Sequence, residues 1–395
     1  MKTLHAKKIL DYWLGGILLF LLKPFTLLAG HLLRRDHTPI LRGRVGILKL
    51  MGGGSLTIAF PALLALKKAY PSCPFTLITT REVKPFGEVL NIFDEILVIN
   101  DQSLLTLVIS SIRTLWRSLY FDTVIDLEVY SRLSAVFSLF TMARNRVGFY
   151  LENMFWRKGL YSHLVYFNVF GGSFVYYDQL ARLLGAIPVP VEECRRHFVA
   201  GLPPFLADRR HYRVAIAPGC STFGQERMLT ASHWEMFMLK RKVSMEEAQI
   251  FILGSAADDA LGEELIAALR PHLPKAEFNN RCGKLPLPDS LALLRSMDEF
   301  WGIDSGILHA ARLLGISSHS VWGPTDPRTR LRPIHGLQET ILYERIACSP
   351  CIHVTEAPPC EGNNICIRRM FEHNLVVDLE KSAFTVWPKP PNNSL

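Results

Sequence analysis

From Arg44 onward, short apolar runs alternate with segments of helical period, and this rhythm restricts the fold more than any other feature of the chain. Residues 45–50, 75–79, 95–99 and 123–127 read as strands, and residues 56–69, 84–90 and 104–119 as the helices between them. Strands that are apolar at nearly every position, each followed by a helix, call for a parallel sheet covered on both faces. A second series follows the linker-like stretch Gly201-Leu202-Pro203-Pro204 and Asp208-Arg209-Arg210. It has strands at 214–217, 249–253 and 320–322, and a helix-then-strand run over 291–303. At 395 residues the chain is too long for one ordinary core. The expected fold is therefore α/β, with two Rossmann-like domains over 41–200 and 211–370 and a ligand cleft between them. An apolar helical extension over 1–40 precedes them, and a tail over 371–395 follows.

In the extension, residues 12–22 are apolar without a break, Lys23-Pro24 interrupts, and 25–30 resume the run. The unbroken part is shorter than the ~20 residues that cross a bilayer, and the proline should kink a longer helix. With Lys7-Lys8 before it and Arg34-Arg35 after it, the segment reads as an in-plane or re-entrant anchor at an anionic membrane surface. The other reading is a helix that packs on the protein itself. No small-residue cleavage site follows, which argues against a secretory signal. The formal charge of +8 points to anionic partners. The basic residues are dispersed and not interleaved with aromatics, which argues against nucleic acid.

Asp304-Ser305-Gly306-Ile307-Leu308-His309 falls where a strand gives way to a helix. Such a junction presents free N–H groups and a positive dipole end, the usual seat of nucleotide phosphates in open α/β sheets. Taken alone, the same residues also suit an N-cap and a packed histidine. Met51-Gly52-Gly53-Gly54-Ser55 after the first strand reads as a tight loop that brings backbone close to a ligand. Its spacing fits neither the dinucleotide nor the P-loop fingerprint.

Taken together, Ile47-Leu48-Lys49-Leu50 with its glycine loop, Pro61-Ala62-Leu63, Leu66-Lys67 up to Pro71, Pro218-Gly219, the Asp304 segment and Gly323-Pro324-Thr325-Asp326-Pro327 form an ordered set. That set resembles glycosyltransferase family 9, the family of the lipopolysaccharide heptosyltransferases, from about residue 44 to 370. The resemblance implies a GT-B fold and inverting transfer without a metal or other cofactor at the sugar. It also implies a nucleotide-sugar donor on the C-terminal domain, ADP-heptose first, and a lipid-linked saccharide acceptor on the N-terminal domain. It places the chain at the cytoplasmic face of the bacterial inner membrane. Asp304, Ser305, Gly306 and His309 are then donor contacts, Ser221 supplies a hydroxyl to the phosphates and Arg227 the cation. The family's lysine followed by Arg-Trp-Pro is replaced here by Glu226-Arg227-Met228-Leu229. A hexose or N-acetylhexosamine from a UDP donor, a catalytically silent envelope-assembly protein and a soluble nucleotide-sugar epimerase are the alternatives.

Inverting transfer needs a base for the acceptor hydroxyl. The family's aspartate, six residues before the proline of Pro-Ala-Leu, is Ser55 here. A serine cannot take a proton near neutral pH without another base beside it. Glu128, just past the strand over 123–127, is the replacement candidate, with Asp122 and Asp126 as rivals. Arg132, four residues on, is placed to tune Glu128 or to contact phosphate, and Ser55, Gly53 and Gly54 become acceptor or phosphate contacts. The plain alternative has Glu128 bridging to Arg144 or Arg146.

Cys348, Cys351, Cys360 and Cys366 lie in a Pro- and Gly-containing stretch in which only the first pair has the close spacing of a zinc site. A structural zinc and packed thiols both remain open. His163, His197 and His233 are isolated and read as ordinary surface or core residues. Residues 167–177, rich in aromatics around Gly171-Gly172, read as a mobile loop before a helix over 178–184, placed where an acceptor could meet it.

Overall fold

A computed structural model of the chain describes residues 4–205, 211–220, 224–239, 245–352, 360 and 363–372. The chain divides into two units, Met1–Gly201 and Leu202–Leu395, within the linker read from sequence.

The first unit begins with helix α1 (Leu4–Leu33). Its sheet is built from β1 (Val45–Lys49), β2 (Phe75–Thr80), β3 (Glu95–Ile99), β4 (Thr123–Asp126), β5 (Asn145–Tyr150) and β6 (His163–Tyr166). All pairings are parallel, in the order β3-β2-β1-β4-β5-β6. β1 is buried at all five positions, as a central strand covered on both faces must be. The covering helices are α2 (Gly53–Ala69), α3 (Lys84–Leu90), α4 (Leu104–Ser118), α5 (Arg132–Phe140), α6 (Ser173–Leu183) and α7 (Val191–Ala200).

The second unit has β7 (Arg213–Ala217), β8 (Gln249–Ile252), β9 (Glu277–Asn280), β10 (Glu299–Ile303), β11 (Ser317–Trp322) and β12 (Glu339–Tyr343). They run parallel in the order β12-β11-β10-β7-β8-β9. Helices α8 (Ala231–Leu239), α9 (Asp259–Leu269), α10 (Leu287–Leu294), α11 (Gly306–Leu314) and α12 (Ile365–Glu372) accompany them. Trp234, Phe237 and Trp301 anchor a core that includes Ile216, Ile250 and Leu265. In each sheet the chain reverses its direction of strand addition once, between β1 and β4 and again between β7 and β10. The loops at the carboxyl ends of such strand pairs are where open α/β sheets bind ligands.

Two expectations are corrected. The segment over 1–40 is not set apart from the main fold and is not a short interrupted helix. α1 is one helix of 30 residues with Pro24 inside it, on the order of 45 Å long. It lies on α5, where a Cβ on Gly15 would come within 2.6 Å of the Arg132 Cβ, so only a glycine permits the approach. Leu19 is buried in the same contact with Ala135, Val136, Leu160 and Tyr161. Asp11 accepts hydrogen bonds from the Arg132 and Leu133 N–H groups, each at 2.9 Å, and from the Ser131 hydroxyl at 2.6 Å. It therefore caps α5 from another helix. Asp11→Ala should lower stability by about 1 kcal/mol, the usual cost of a lost cap. Chemical denaturation would show it, together with faster amide exchange at the start of α5.

The second correction concerns residues 167–177, which are not a loop throughout. α6 begins at Ser173, and Phe167, Tyr176 and Tyr177 are buried around Phe149, with the Phe149 and Tyr176 rings 5.2 Å apart. Aromatic packing of this kind, edge to face, orders the segment.

Candidate active site

In the second unit the site grows from the carboxyl end of β10. Asp304 follows the strand, Ser305 caps α11 by accepting from the Leu308 N–H, and Gly306 is the first helical residue. The Asp304 carboxylate is buried and bonded on both sides. Arg227 Nη1 stands 3.0 Å from Oδ2 and donates to the Asp304 carbonyl at 2.7 Å, and His309 Nε2 lies 3.7 Å from Oδ1. Burial works to raise the Asp304 pKa, but the Arg227 guanidinium and the His309 hydrogen bond prevail and hold it well below the carboxylate range. Burial likewise pushes the His309 imidazole down, against the opposing pull of Asp304. Arg227 is held firmly protonated, its burial outweighed by Asp304. Among the expected donor residues, Arg227, Asp304, Ser305, Gly306 and His309 are thus one constellation. Ser221 lies outside the described residues.

The neighbouring strand β7 leads into Pro218 and Gly219. A Cβ on Gly219 would fall 1.9 Å from the Asp258 carboxylate, so this turn accepts no side chain. Asp258 is tied in turn to the Ser255 N–H and hydroxyl, each at 2.7 Å. The loops after β7, β8 and β10 are in this way braced by buried carboxylates. The Gly323–Pro327 turn after β11 is braced too: Asp326 accepts from the Arg328 N–H at 2.9 Å and from its guanidinium. Thr325 in the same turn is buried, and among the described residues its hydroxyl has no hydrogen-bond partner. The sequence offered a signal for it only as one letter of a motif.

In the first unit, Glu128 lies just past β4, beside the carboxyl end of β1. Its Oε1 accepts from the Leu50 N–H at 2.7 Å and the Met51 N–H at 2.9 Å, and Lys49 Nζ stands 3.2 Å away. Among the described residues no hydrogen bond reaches Oε2. Glu128 therefore holds the turn that leads into α2, whose first helical turn contains Ser55. That turn is shorter than expected: Gly52 takes a left-handed φ of 74°, and Gly53, Gly54 and Ser55 already form the first turn of α2. Gly53 is a packing glycine, since a Cβ there would meet the Phe86 ring at 2.1 Å.

The expected partner of Glu128 is elsewhere. Arg132 donates to the Tyr12 carbonyl at 2.8 Å and lies over the Tyr12 ring, so α1 occupies it. Arg144 pairs with Asp122 at 2.8 Å, and Arg146 donates to the Leu160 carbonyl. Sequence reading missed Lys49, whose signal was a lysine inside an otherwise apolar central strand. The rivals are not placed for proton transfer. Asp122 precedes β4, at the opposite end of the sheet from the ligand loops. Asp126 is fully buried, bonded to Arg157 at 3.1 Å, to Ser134 at 2.8 Å and to the Tyr161 hydroxyl. Burial there raises the Asp126 pKa in spite of Arg157.

The four cysteines gather near the β11–β12 edge. Burial raises the Cys351 thiol pKa and pushes that of Cys366 up to about 12, with the other thiols of the group adding to each. Among the described residues no three His, Cys, Asp or Glu side chains are grouped so as to hold a metal ion. Cys366 packs where a Cβ on Gly323 would lie, 2.8 Å from its sulfur. His163, His197 and His233 bond to Ser162, to the Asn91 carbonyl and to Thr230.

Comparison with known proteins places this geometry. Glycosyltransferase family 9 (heptosyltransferase) matches residues 195–360, from within α7 to Cys360. The chain is 28% identical over 95 residues to lipopolysaccharide heptosyltransferase 2 of Salmonella typhimurium, and equally to that of Escherichia coli. Those alignments span 24% of this chain and 27% of the relatives' length. Among solved structures, E. coli ADP-heptose lps heptosyltransferase II superposes with a TM-score of 0.56 at 18% identity, over 86% of this chain and 98% of that one. A family 9 glycosyl transferase from Veillonella parvula gives 0.58 at 16%, over 78% and 87%. E. coli heptosyltransferase WaaC with ADP-2-deoxy-2-fluoro heptose gives 0.57 at 15%, over 84% and 100%. The shared fold is GT-B, with two parallel six-stranded sheets.

Proposed function

We propose that this chain, whose residues 195–360 match the glycosyltransferase family 9 model, transfers a sugar from a nucleotide donor to a lipid-linked saccharide of the bacterial envelope. Heptose is the first choice of sugar and ADP the first choice of nucleotide. The observation that carries the reading is the Arg227–Asp304–His309 constellation at the start of α11. A nucleoside diphosphate leaving a sugar gathers negative charge on its β-phosphate. A firmly protonated arginine and the N–H groups of a helix start are the groups that stabilise such charge. Asp304 and the Gly224 carbonyl, which accepts from Nε at 3.2 Å, fix the guanidinium in place at the start of α11.

Single displacement at the anomeric carbon inverts its configuration. In this mechanism Glu128 takes the acceptor hydroxyl proton through Oε2, while the contacts on Oε1 keep the carboxylate in place. Ser55, in the first turn of α2, contacts the acceptor without acting as base. In this reading Arg227 and the helix start face the phosphates, and the sugar step proceeds without a metal ion. The proposed acceptor is membrane-bound, and in this reading the protein works at the cytoplasmic face of the inner membrane, with α1 as its anchor.

Incubation of the full-length protein with ADP-heptose and a lipopolysaccharide-precursor acceptor, followed by mass spectrometry of the lipid product, tests this reading. A heptosylated lipid is the expected product. Turnover of UDP-hexose or UDP-N-acetylhexosamine alone would move the donor assignment. Nucleotide binding with no transfer from any of these donors would leave a silent binding protein.

A further inference from the structure

α4 is inverted relative to an ordinary surface helix. Its sheet-facing side carries Leu107 against the Leu48–Ile78–Phe121 cluster but is otherwise small and polar. Thr114 and Ser118 are buried, and the Ser110 and Ser118 hydroxyls donate to the Thr106 and Thr114 carbonyls at 2.6 and 2.8 Å. The large apolar side chains point the other way. Leu105, Val108, Ile109, Ile112 and Trp116 are 52–76% exposed, and Tyr120 just beyond the helix is 80% exposed. They recur at three- and four-residue spacing and so form a single stripe. Soluble surfaces rarely present a contiguous patch of this kind without something to cover it.

We propose that this stripe is a second membrane-contacting element, one that lies in the plane of an anionic lipid surface. Three observations select lipid over another protein. Arg113 stands exposed at the rim of the stripe, Arg117 beside it is paired with Glu95, and the helix contains no acidic residue. That is the charge pattern of interfacial helices that meet anionic headgroups. Trp116 and Tyr120 sit together at one end, where amphipathic rings favour the boundary between acyl chains and headgroups. The same unit also carries α1, which is long and apolar enough to cross a membrane and is almost wholly unburied. A 2.5 Å ion pair from Lys7 of α1 to Asp101 ties the two helices together at the start of α4. With α1 as anchor and α4 as a float, the first unit would be held in one orientation on the bilayer, with less rotational freedom than a single anchor allows. Such a hold suits an enzyme whose acceptor stays in the membrane.

The test reads lipid contact, not sugar transfer, so its failure would leave the proposed function standing. Full-length protein is mixed with phosphatidylglycerol-containing vesicles whose acyl chains carry bromine, and tryptophan emission is compared with that of Trp116→Phe. The difference signal isolates Trp116, and the proposal expects it to be quenched. An unquenched difference signal overturns the proposal even if α1 alone keeps the protein on the vesicle. In addition, the Ile109→Glu, Ile112→Glu double variant should lower vesicle partition by ~10-fold or more, since charge on an interfacial face opposes insertion. Its melting temperature should not change, because both side chains already face solvent. If the double variant instead converts a dimer to a monomer while vesicle partition stays constant, the stripe is an interface between copies and the proposal fails.

Discussion

Glu128→Gln is expected to slow sugar transfer by roughly 10²–10⁴-fold, the range that a positioned proton acceptor contributes, with nucleoside diphosphate affinity unchanged. The substitution is informative because the amide keeps an oxygen for the Leu50 and Met51 N–H groups. The turn over 50–52 should then hold its shape, and a loss of rate reports the missing base. Ser55→Ala is the paired measurement. A hydroxyl that only touches the acceptor should change KM more than kcat, and by far less than Glu128→Gln changes kcat. If Glu128→Gln transfers at the wild-type rate, the base lies elsewhere and Glu128 only supports the turn.

Arg157→Leu should bring the second large effect, a stability loss of about 3–5 kcal/mol in denaturant titration, as when one partner of a buried ion pair is removed. Arg157 is fully buried. Its guanidinium reaches Asp126 at 3.1 Å, the Glu128 carbonyl at 2.6 Å and the Phe149 carbonyl at 3.2 Å. Without it, the buried Asp126 carboxylate keeps its Ser134 and Tyr161 hydroxyl donors but loses its counter-charge, and the Glu128 and Phe149 carbonyls lose a donor. Adding Asp126→Leu to Arg157→Leu should recover part of the loss, because the second change removes the stranded charge. The double variant should still transfer poorly, since the Glu128 backbone has lost its anchor. Equal stability of Arg157→Leu and wild type would show that this network does not hold the site.

Strands β1 to β4, β7, β8 and the run from α10 into α11 were legible because buried parallel strands leave unbroken apolar runs between helical periods. β5, β6 and β12 were not. Their sequences, such as Asn145-Arg146-Val147-Gly148-Phe149-Tyr150, mix charge and glycine with apolar residues because they lie toward or at the sheet edges and are less completely covered. α6 was obscured by Gly171-Gly172 at its start, and aromatic packing overrode that local signal. At the site, residues close in sequence could be grouped from sequence, as Asp304, Ser305 and His309 were. Contacts between distant segments could not. The hold of Lys49 on Glu128 spans 79 positions, and the capture of Arg132 by α1 spans about 120. Charge sign alone made Arg132 the natural partner of Glu128, and only the packing of α1 on α5 removes it. The continuity of α1 through Pro24 was equally hidden, because the support comes from its contact with α5.

The most direct test of the central claim is calorimetric titration of ADP, UDP, GDP and CMP into the full-length protein and into Arg227→Ala. One nucleoside diphosphate should bind the wild type at a single site. Arg227→Ala should bind it roughly 10–100-fold more weakly, the loss expected when a charge-assisted phosphate contact is removed. No binding of any of these nucleotides to the wild type, or affinity that does not change in Arg227→Ala, would contradict a diphosphate seated at the start of α11.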